Sequence, residues 1–142
     1  MEADIYPRGA EALSDRIDQS LGEGSPFHEA FGYYAQGVGP DTAVIPVGWE
    51  GRVVRIQSEA TNLRVGLCLD PTDLFLSKCH ANREKDIEFN RELLRWNYVQ
   101  VAVARERVAD MPVTARDMEL LLARIPRLVR ELRDMGIHIV GG

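Results

Sequence analysis

The sequence predicts an α/β (α+β) fold, in which a mixed β-sheet is flanked by helices and a helical section follows at the C-terminus. One observation is a short strand-like segment at the start, followed by apolar residues at helical spacing. A second is a set of alternating segments between residues 42 and 69, and a third is helical periodicity after residue 70. With 142 residues, 45% of them hydrophobic, the chain can bury the core of one domain without a metal or a disulfide.

The first 42 residues predict a strand, a helix and an irregular aromatic segment. Residues 3–6 have the pattern of a strand that ends at Pro7, and residues 9–21 have the apolar spacing of a helix. Residues 22–42 are rich in glycine, proline and aromatic side chains. We therefore expect a loop or an irregular hairpin with buried rings in this segment.

Three strands are expected in the middle of the chain. Residues 42–47 and 52–57 are separated by a glycine-rich turn, and the partial alternation of the second predicts a half-buried strand. Residues 63–69 place leucine and valine side chains on one face, which predicts a third, buried strand. Asp70 follows this strand directly, at the mouth of the sheet, where sites commonly lie. Asp70 can equally cap the next helix, and the two roles are compatible.

Two helices are expected after Asp70. Pro71 suits the first turn of a helix that runs to about residue 80, and Asn82 can adopt the left-handed conformation that ends it. A second helix is expected over residues 83–96. Residues 99–108 fit a strand or a helix equally well.

A long helix is expected over residues 115–135, where apolar side chains recur at helical spacing. We expect Thr114 and Asp117 to form its N-terminal cap pair. Pro126 lies inside the periodic stretch, and we expect it to kink or split the helix, because proline lacks the backbone N–H that a helix interior uses.

Composition excludes several classes of protein. The chain has 22 acidic and 17 basic residues, which argues against binding of duplex DNA. No apolar run approaches the roughly 18 residues of a membrane span, so no membrane partner is expected. The two cysteines, Cys68 and Cys79, fit a reducing cytoplasm. Cys79 precedes His80, but adjacent helical side chains diverge by about 100°, so we interpret Cys79 as a core residue and not a nucleophile.

Two carboxylates stand near the start of the chain, at Glu2 and Asp4. Residues two apart on a strand point to the same side, so both carboxylates are aimed at one point, as in sites that hold hard divalent cations. The same pattern also fits a polar, frayed chain end, and the pattern alone favours that reading.

A second cluster of charge surrounds the predicted helix break near residue 82. It contains Lys78, Arg83, Lys85 and Asp86. The lysines suit phosphate as point charges and the arginine suits it through its planar fork. The alternative is a charged helix junction in which Lys78 or Arg83 pairs with Asp86, and the pattern alone favours this alternative.

Four segments together resemble a known family. They are Glu2-Ala-Asp-Ile-Tyr-Pro, Gly24-Ser-Pro-Phe-His-Glu-Ala-Phe-Gly-Tyr-Tyr-Ala-Gln-Gly-Val, Gly48-Trp-Glu and the stretch from Asp70 to Phe89. They are similar to a bacterial family of uncharacterised nucleotidyltransferase-like proteins of the polymerase-beta-type superfamily, related to the AbiEii toxins of toxin–antitoxin systems. The resemblance covers about residues 2–98 and is most specific over 74–89. It implies a single domain of residues 1–142, with a nucleotidyltransferase-like part at 1–98 and a helical part at 99–142.

The resemblance also implies roles for the charged residues. In such enzymes an acid-x-acid strand and a third carboxylate bind two Mg²⁺ (or Mn²⁺) ions as the catalytic metal site. Those positions fall on Glu2 and Asp4, with Asp70 as the third carboxylate.

The Lys-then-Arg motif of the family, which approaches the nucleotide phosphates, falls on Lys78 and Arg83. Lys85 lies beside them in the same phosphate-binding set. Asp86 would then orient a basic group or hold the motif's geometry.

The implied reaction transfers a nucleoside monophosphate from a nucleoside triphosphate to a hydroxyl or phosphate acceptor. A protein or a tRNA is the expected acceptor, an antitoxin-like protein the expected partner and a homodimer the expected assembly. One departure from the family is that no Gly-Gly or Gly-Ser turn precedes the acid pair. We therefore expect an N-terminally truncated or catalytically degenerate member, for which enzyme activity stays undecided. The alternative is a non-catalytic interaction module of a toxin–antitoxin-type pair.

Overall fold

The computed structural model describes residues 2–39, 41–59 and 62–139. These residues form two compact units, one within residues 1–43 and one within residues 44–142. Helices and small β-sheets are both present, and the C-terminal section is helical, which confirms the predicted α/β fold class. The predicted division at residue 98 rests on the family resemblance and stays a prediction. No helix in the described ranges combines the length and the apolar character needed to cross a bilayer.

The first unit pairs two short parallel strands. Strand β1 (Glu2–Ile5) lies beside β2 (Tyr34–Gly37), with Glu2 opposite Tyr34 and Asp4 opposite Gln36. Helix α1 (Ser14–Leu21) packs on β2 and begins after a 3₁₀ turn at Glu11–Leu13. The predicted strand and helix of this region are therefore confirmed, with the α-helix beginning later than expected.

The aromatic segment differs from the prediction. Helix α2 (Pro26–Phe31) and strand β2 occupy it, where a loop or an irregular hairpin with buried rings was expected. Local signals explain the helix, because the Ser25 hydroxyl accepts from His28 N–H over 3.2 Å and Gly32 ends the helix at a φ of +72°. The rings stack on one another near the surface, and Phe31 is 61% exposed.

The middle of the chain contains one exposed hairpin. Strand β3 (Val54–Ile56) pairs antiparallel with β4 (Gly66–Cys68), and every residue of both strands is exposed. A strand is therefore present within residues 63–69, but the prediction that it is buried was wrong. The core of this unit forms between the helices described below and leaves the strand exposed.

The predicted strand over 42–47 was also wrong. Residues 42–47 form turns and irregular backbone. Their polar groups bond outside any sheet: Val47 N–H donates to the Asp110 carbonyl over 2.8 Å, and Arg52 donates to the Val47 carbonyl over 3.0 Å. The backbone N–H and carbonyl of Val47 are therefore paired without a neighbouring strand.

Four helices form the core of the second unit. They are α3 (Pro71–Ala81), α4 (Glu84–Arg95), α5 (Val101–Arg107) and α6 (Ala115–Asp134). Their fully buried side chains include Phe75, Leu76, Leu94, Ala104, Leu121 and Ile125. The ambiguous segment after residue 99 is thus resolved as a helix.

Two predictions concern α6: the cap at Thr114 and the effect of Pro126. Thr114 caps it, since its hydroxyl accepts from Asp117 N–H over 3.2 Å, as predicted. Pro126 lies inside α6, which continues to Asp134, so it does not split the helix, and the predicted kink stays a prediction. The helical bond that Pro126 cannot make belongs to the carbonyl of Leu122, an exposed residue that water can reach.

Candidate functional site

The two carboxylates near the start of the chain lie on one strand. Glu2 and Asp4 stand two residues apart on β1, so they project from the same face. The Tyr34 hydroxyl of β2 donates to Glu2 Oε2 over 3.5 Å, and Asp4 is exposed. This pair presents carboxylate oxygens, the donors that Mg²⁺ and Mn²⁺ prefer, so its chemistry fits a hard divalent cation.

Asp70 has a structural role that the sequence predicted. Its Oδ1 accepts from Thr72 N–H over 3.0 Å and from Asp73 N–H over 3.3 Å, which caps α3. The Arg107 guanidinium of α5 also donates to Oδ1. Burial acts to raise the pKa of Asp70, but the Arg107 and backbone hydrogen bonds outweigh it and hold the pKa below the ordinary value. Asp70 is therefore a carboxylate at neutral pH, and its role as a third metal ligand stays a prediction.

Beside Asp70 lies an ion-pair network that sequence reasoning missed. The carboxylate of Asp73 is fully buried and accepts from Arg52 and from Arg107, the latter over 3.0 Å. The sequence did contain a signal for Asp73. It lies three residues before Leu76, so the two side chains share one face of α3, and the apolar Leu76 indicates that this face is buried. The two arginines gave no such signal, because they come from distant segments.

The basic cluster is assembled around Asp86. The side chain of Asp86 is fully buried, and its Oδ2 accepts from Arg83 Nε over 2.7 Å. Its Oδ1 accepts from Arg83 Nη2 over 3.2 Å and from Lys78 Nζ over 3.4 Å. Lys78 also lies over the Phe89 ring, 4.7 Å from its centre. The expected pairing at a charged helix junction is thus present, with both cations on one carboxylate.

Asp86 also holds the turn between α3 and α4. Its Oδ2 accepts from the backbone N–H of Arg83 over 3.2 Å, which caps α4, while Asn82 ends α3 at a φ of +53° as predicted. Burial acts to raise the pKa of Asp86, but the hydrogen bonds from Arg83 and the charge of Lys78 hold it below the ordinary value. Arg83 stays 61% exposed and Lys78 21% exposed, so an anion can reach both cations.

The predicted site residues fall into the two units. Glu2 and Asp4 belong to the first, whereas Asp70, the basic cluster and Lys85 belong to the second. Lys85 is an exposed residue of α4. Across residues 2–39, 41–59 and 62–139, no group of three His, Cys, Asp or Glu side chains is arranged to hold a metal ion. The joint roles assigned to these residues therefore stay predictions.

Cys79 is a core residue, as expected. Its side chain is buried, and Asn90 Nδ2 donates to its Sγ over 3.2 Å. Burial raises the pKa of the Cys79 thiol to about 12. A thiol that stays protonated at neutral pH is a poor nucleophile, so chemistry at Cys79 has no support here.

One comparison identified a related family. Residues 10–120 match the family model described as "Nucleotidyltransferase of unknown function (DUF6036)". Comparison with curated proteins and with solved structures found no match. The matched residues include Asp70, Lys78, Arg83, Lys85 and Asp86, and they begin after the acid pair of β1.

Proposed function

The chain belongs to this family of nucleotidyltransferases of unknown function (DUF6036), and on that premise we propose that it transfers a nucleoside monophosphate from a nucleoside triphosphate to an acceptor. The observation that carries the proposal is the cluster of Lys78, Arg83 and Asp86, which lies within the matched residues. Two cations share one buried carboxylate there, so the cluster keeps a net positive charge. A positive, reachable cluster is what a triphosphate requires.

Each member of the cluster has a distinct role in this proposal. Arg83 offers its exposed planar guanidinium to the phosphates, and Lys78 offers a point charge. Asp86 is a positioning residue, because it holds both cations and the turn that carries them. Lys85 adds a further cation on the first turn of α4. Charge placed before the substrate arrives lowers the cost of binding and aligning the phosphates.

Glu2 and Asp4 would hold the divalent cation, Mg²⁺ or Mn²⁺. The bound cation would neutralise charge on the phosphates and favour in-line transfer. Asp70 is the proposed third carboxylate, and its ion pair with Arg107 is a contact that a metal would have to replace or share. A hydroxyl or phosphate group of a protein or tRNA is the proposed acceptor. We further place the reaction in the cytoplasm.

Calorimetric titration of Mg²⁺ or Mn²⁺ in the presence of ATP tests the proposal. We expect saturable binding by the natural chain, its loss in Asp4→Asn and a weaker ATP affinity in Lys78→Gln. Matched controls are Asp15→Asn on α1 and Arg95→Gln on α4, which remove the same charges elsewhere and should leave binding unchanged. The proposal fails if millimolar metal and ATP give no binding, or if the control variants weaken it equally.

A second candidate is the non-catalytic interaction module of a toxin–antitoxin-type pair. The exposed β3–β4 hairpin favours it, because Val54, Ile56 and Leu67 are 45%, 49% and 59% exposed. Val54 and Ile56 share one face of the hairpin, and Leu67 lies on the other face, opposite Arg55. Exposed apolar side chains on both faces suit a protein partner or a second copy of the chain. Absence of metal and ATP binding, together with a dimer in light scattering, would favour the module. Binding lost in Asp4→Asn would favour the enzyme.

A further inference from the structure

A cavity of about 90 Å³ lies between the α3–α4 pair and α6, within the second unit. The space exceeds several-fold the roughly 10–15 Å³ that a single water needs. The side chains that matter for its chemistry are Lys78, Asn90, Arg91, Arg124, Arg127 and Glu131. Apart from Lys78, none of them has a part in the function proposed above.

The cavity wall is strongly positive. Four cations and one carboxylate, that of Glu131, line the cavity, and one of the cations, Lys78, is also paired with Asp86. Glu131 accepts from Arg91 Nη2 over 2.7 Å and from Arg127 Nε over 2.9 Å, and these hydrogen bonds hold its pKa below the ordinary value. Arg124 is fixed by Nη1, which donates to the Cys79 carbonyl over 2.7 Å and to the His80 carbonyl over 3.2 Å. The arginines are therefore held in place, and their charge exceeds that of the one acid.

Two buried polar atoms that belong to lining residues lack a hydrogen-bond partner among the residues that the structure describes. They are Asn90 Oδ1, an acceptor, and Arg91 Nε, a donor. Asn90 is 1% exposed, and its Nδ2 donates to the Phe75 carbonyl over 3.1 Å and to Cys79 Sγ. These bonds fix the orientation of the amide, because the reverse orientation would place Oδ1 against the Phe75 carbonyl. Buried polar groups are rarely left unpaired, so both atoms point to a bound group.

We propose that this cavity binds a phosphate group that carries a P–OH, with the P–OH donating to Asn90 Oδ1 and the charged oxygens accepting from Arg91 Nε and the surrounding cations. Both ionic forms of inorganic phosphate near neutral pH keep such a proton. A carboxylate or a sulfate at neutral pH has none, so it leaves Asn90 Oδ1 unpaired. The unpaired acceptor thus selects phosphate among the anions that the positive wall attracts.

Calorimetric titration of the full chain with inorganic phosphate and with sulfate, at equal ionic strength and neutral pH, tests this assignment. We expect one phosphate per chain and an affinity for sulfate about tenfold lower, the order of one lost hydrogen bond to a charged ligand. Equal affinities for the two anions, or no binding of phosphate at millimolar concentration, would overturn it.

Two variants with matched controls locate the site. Arg91→Lys keeps the charge but removes Nε, and we expect it to weaken phosphate about tenfold. Arg127→Gln should also weaken phosphate binding if the cavity is the site. Because Arg127 is exposed, this variant still tests the proposal if Arg91→Lys does not fold. Arg95→Lys on α4 and Arg130→Gln on α6 lie outside the cavity and should change nothing. Equal weakening by the controls would show a diffuse charge effect and overturn the assignment.

Glycerol 2-phosphate is a second test of the P–OH, because a phosphomonoester has a second pKa of about 6 and has mostly lost this proton at neutral pH. We expect it, like sulfate, to bind about tenfold more weakly than inorganic phosphate, and equal affinity would overturn the role of the P–OH. Because these titrations use neither a metal ion nor ATP, their failure is distinguishable from a failure of the proposed transferase function.

Discussion

Arg52 donates two hydrogen bonds to the buried carboxylate of Asp73, from Nε to Oδ2 over 2.9 Å and from Nη2 to Oδ1 over 3.1 Å. The same Nη2 also donates to the Val47 carbonyl over 3.0 Å. Arg107 adds a third bond to the carboxylate from α5. Asp73 thereby ties the irregular segment before β3 to two helices of the core, and its charge is fully paired inside the protein.

Removing the Asp73 charge should be among the most destabilising single changes in the second unit. Asp73→Asn leaves two guanidinium groups facing a neutral amide, and we expect it to lower the free energy of unfolding by about 3–5 kcal/mol. Urea denaturation of the natural chain and the variant measures the loss. Asp15→Asn, at an exposed position on α1, should stay within about 0.5 kcal/mol. A loss below about 1 kcal/mol in Asp73→Asn would contradict the assigned role.

Thr114 provides a smaller, sharply defined contribution at the start of α6. Thr114→Ala removes the acceptor for Asp117 N–H, and we expect a loss of about 1 kcal/mol in unfolding free energy. Thr114→Ser keeps the hydroxyl and should retain most of the stability. If the alanine and serine variants unfold at the same urea concentration, the cap has no energetic role.

Acid stability should depend on Asp86. Its pKa in the folded chain lies below the ordinary value of 3.8, mainly because the Arg83 hydrogen bonds and the Lys78 charge outweigh burial. A depressed pKa adds stability that is complete above the unfolded pKa and is lost as pH falls through the folded pKa. Between pH 7 and acid below about 4, the natural chain should therefore lose more stability than Asp86→Asn. Melting temperatures across this range measure the difference, and parallel curves would exclude the effect.

Local signals in the sequence were sufficient to locate α3, α4 and α6 of the second unit, whereas the segment of α5 fitted a strand equally well. Asp70, Asn82 and Thr114 each stand at a helix end, and each acts through a neighbour within a few residues. The burial of the strands was harder to predict. Alternation shows which side chains share one face of a strand, but it does not show whether another element covers that face. The apolar face around Leu67 was expected inside, yet the core formed from helices and left that face exposed.

The ion pairs of the second unit also differ in how far the sequence could predict them. The contacts of Lys78 and Arg83 with Asp86 span eight and three residues, so the pattern of one segment could indicate them. The bond of Arg91 to Glu131 spans forty residues and that of Arg52 to Asp73 twenty-one. Such pairs depend on how helices and loops pack, which charge spacing along one segment cannot specify.

The two cysteines should differ in reactivity. Cys79 is buried, and its pKa of about 12 leaves almost no thiolate near pH 8, whereas Cys68 lies on the exposed strand β4. Ellman's reagent should therefore titrate one thiol in the folded chain and two after denaturation. Cys68→Ser should abolish the fast reaction, while Cys79→Ser should leave it unchanged. Rapid labelling of the folded Cys68→Ser variant would show that Cys79 is reachable and would reopen its role as a nucleophile.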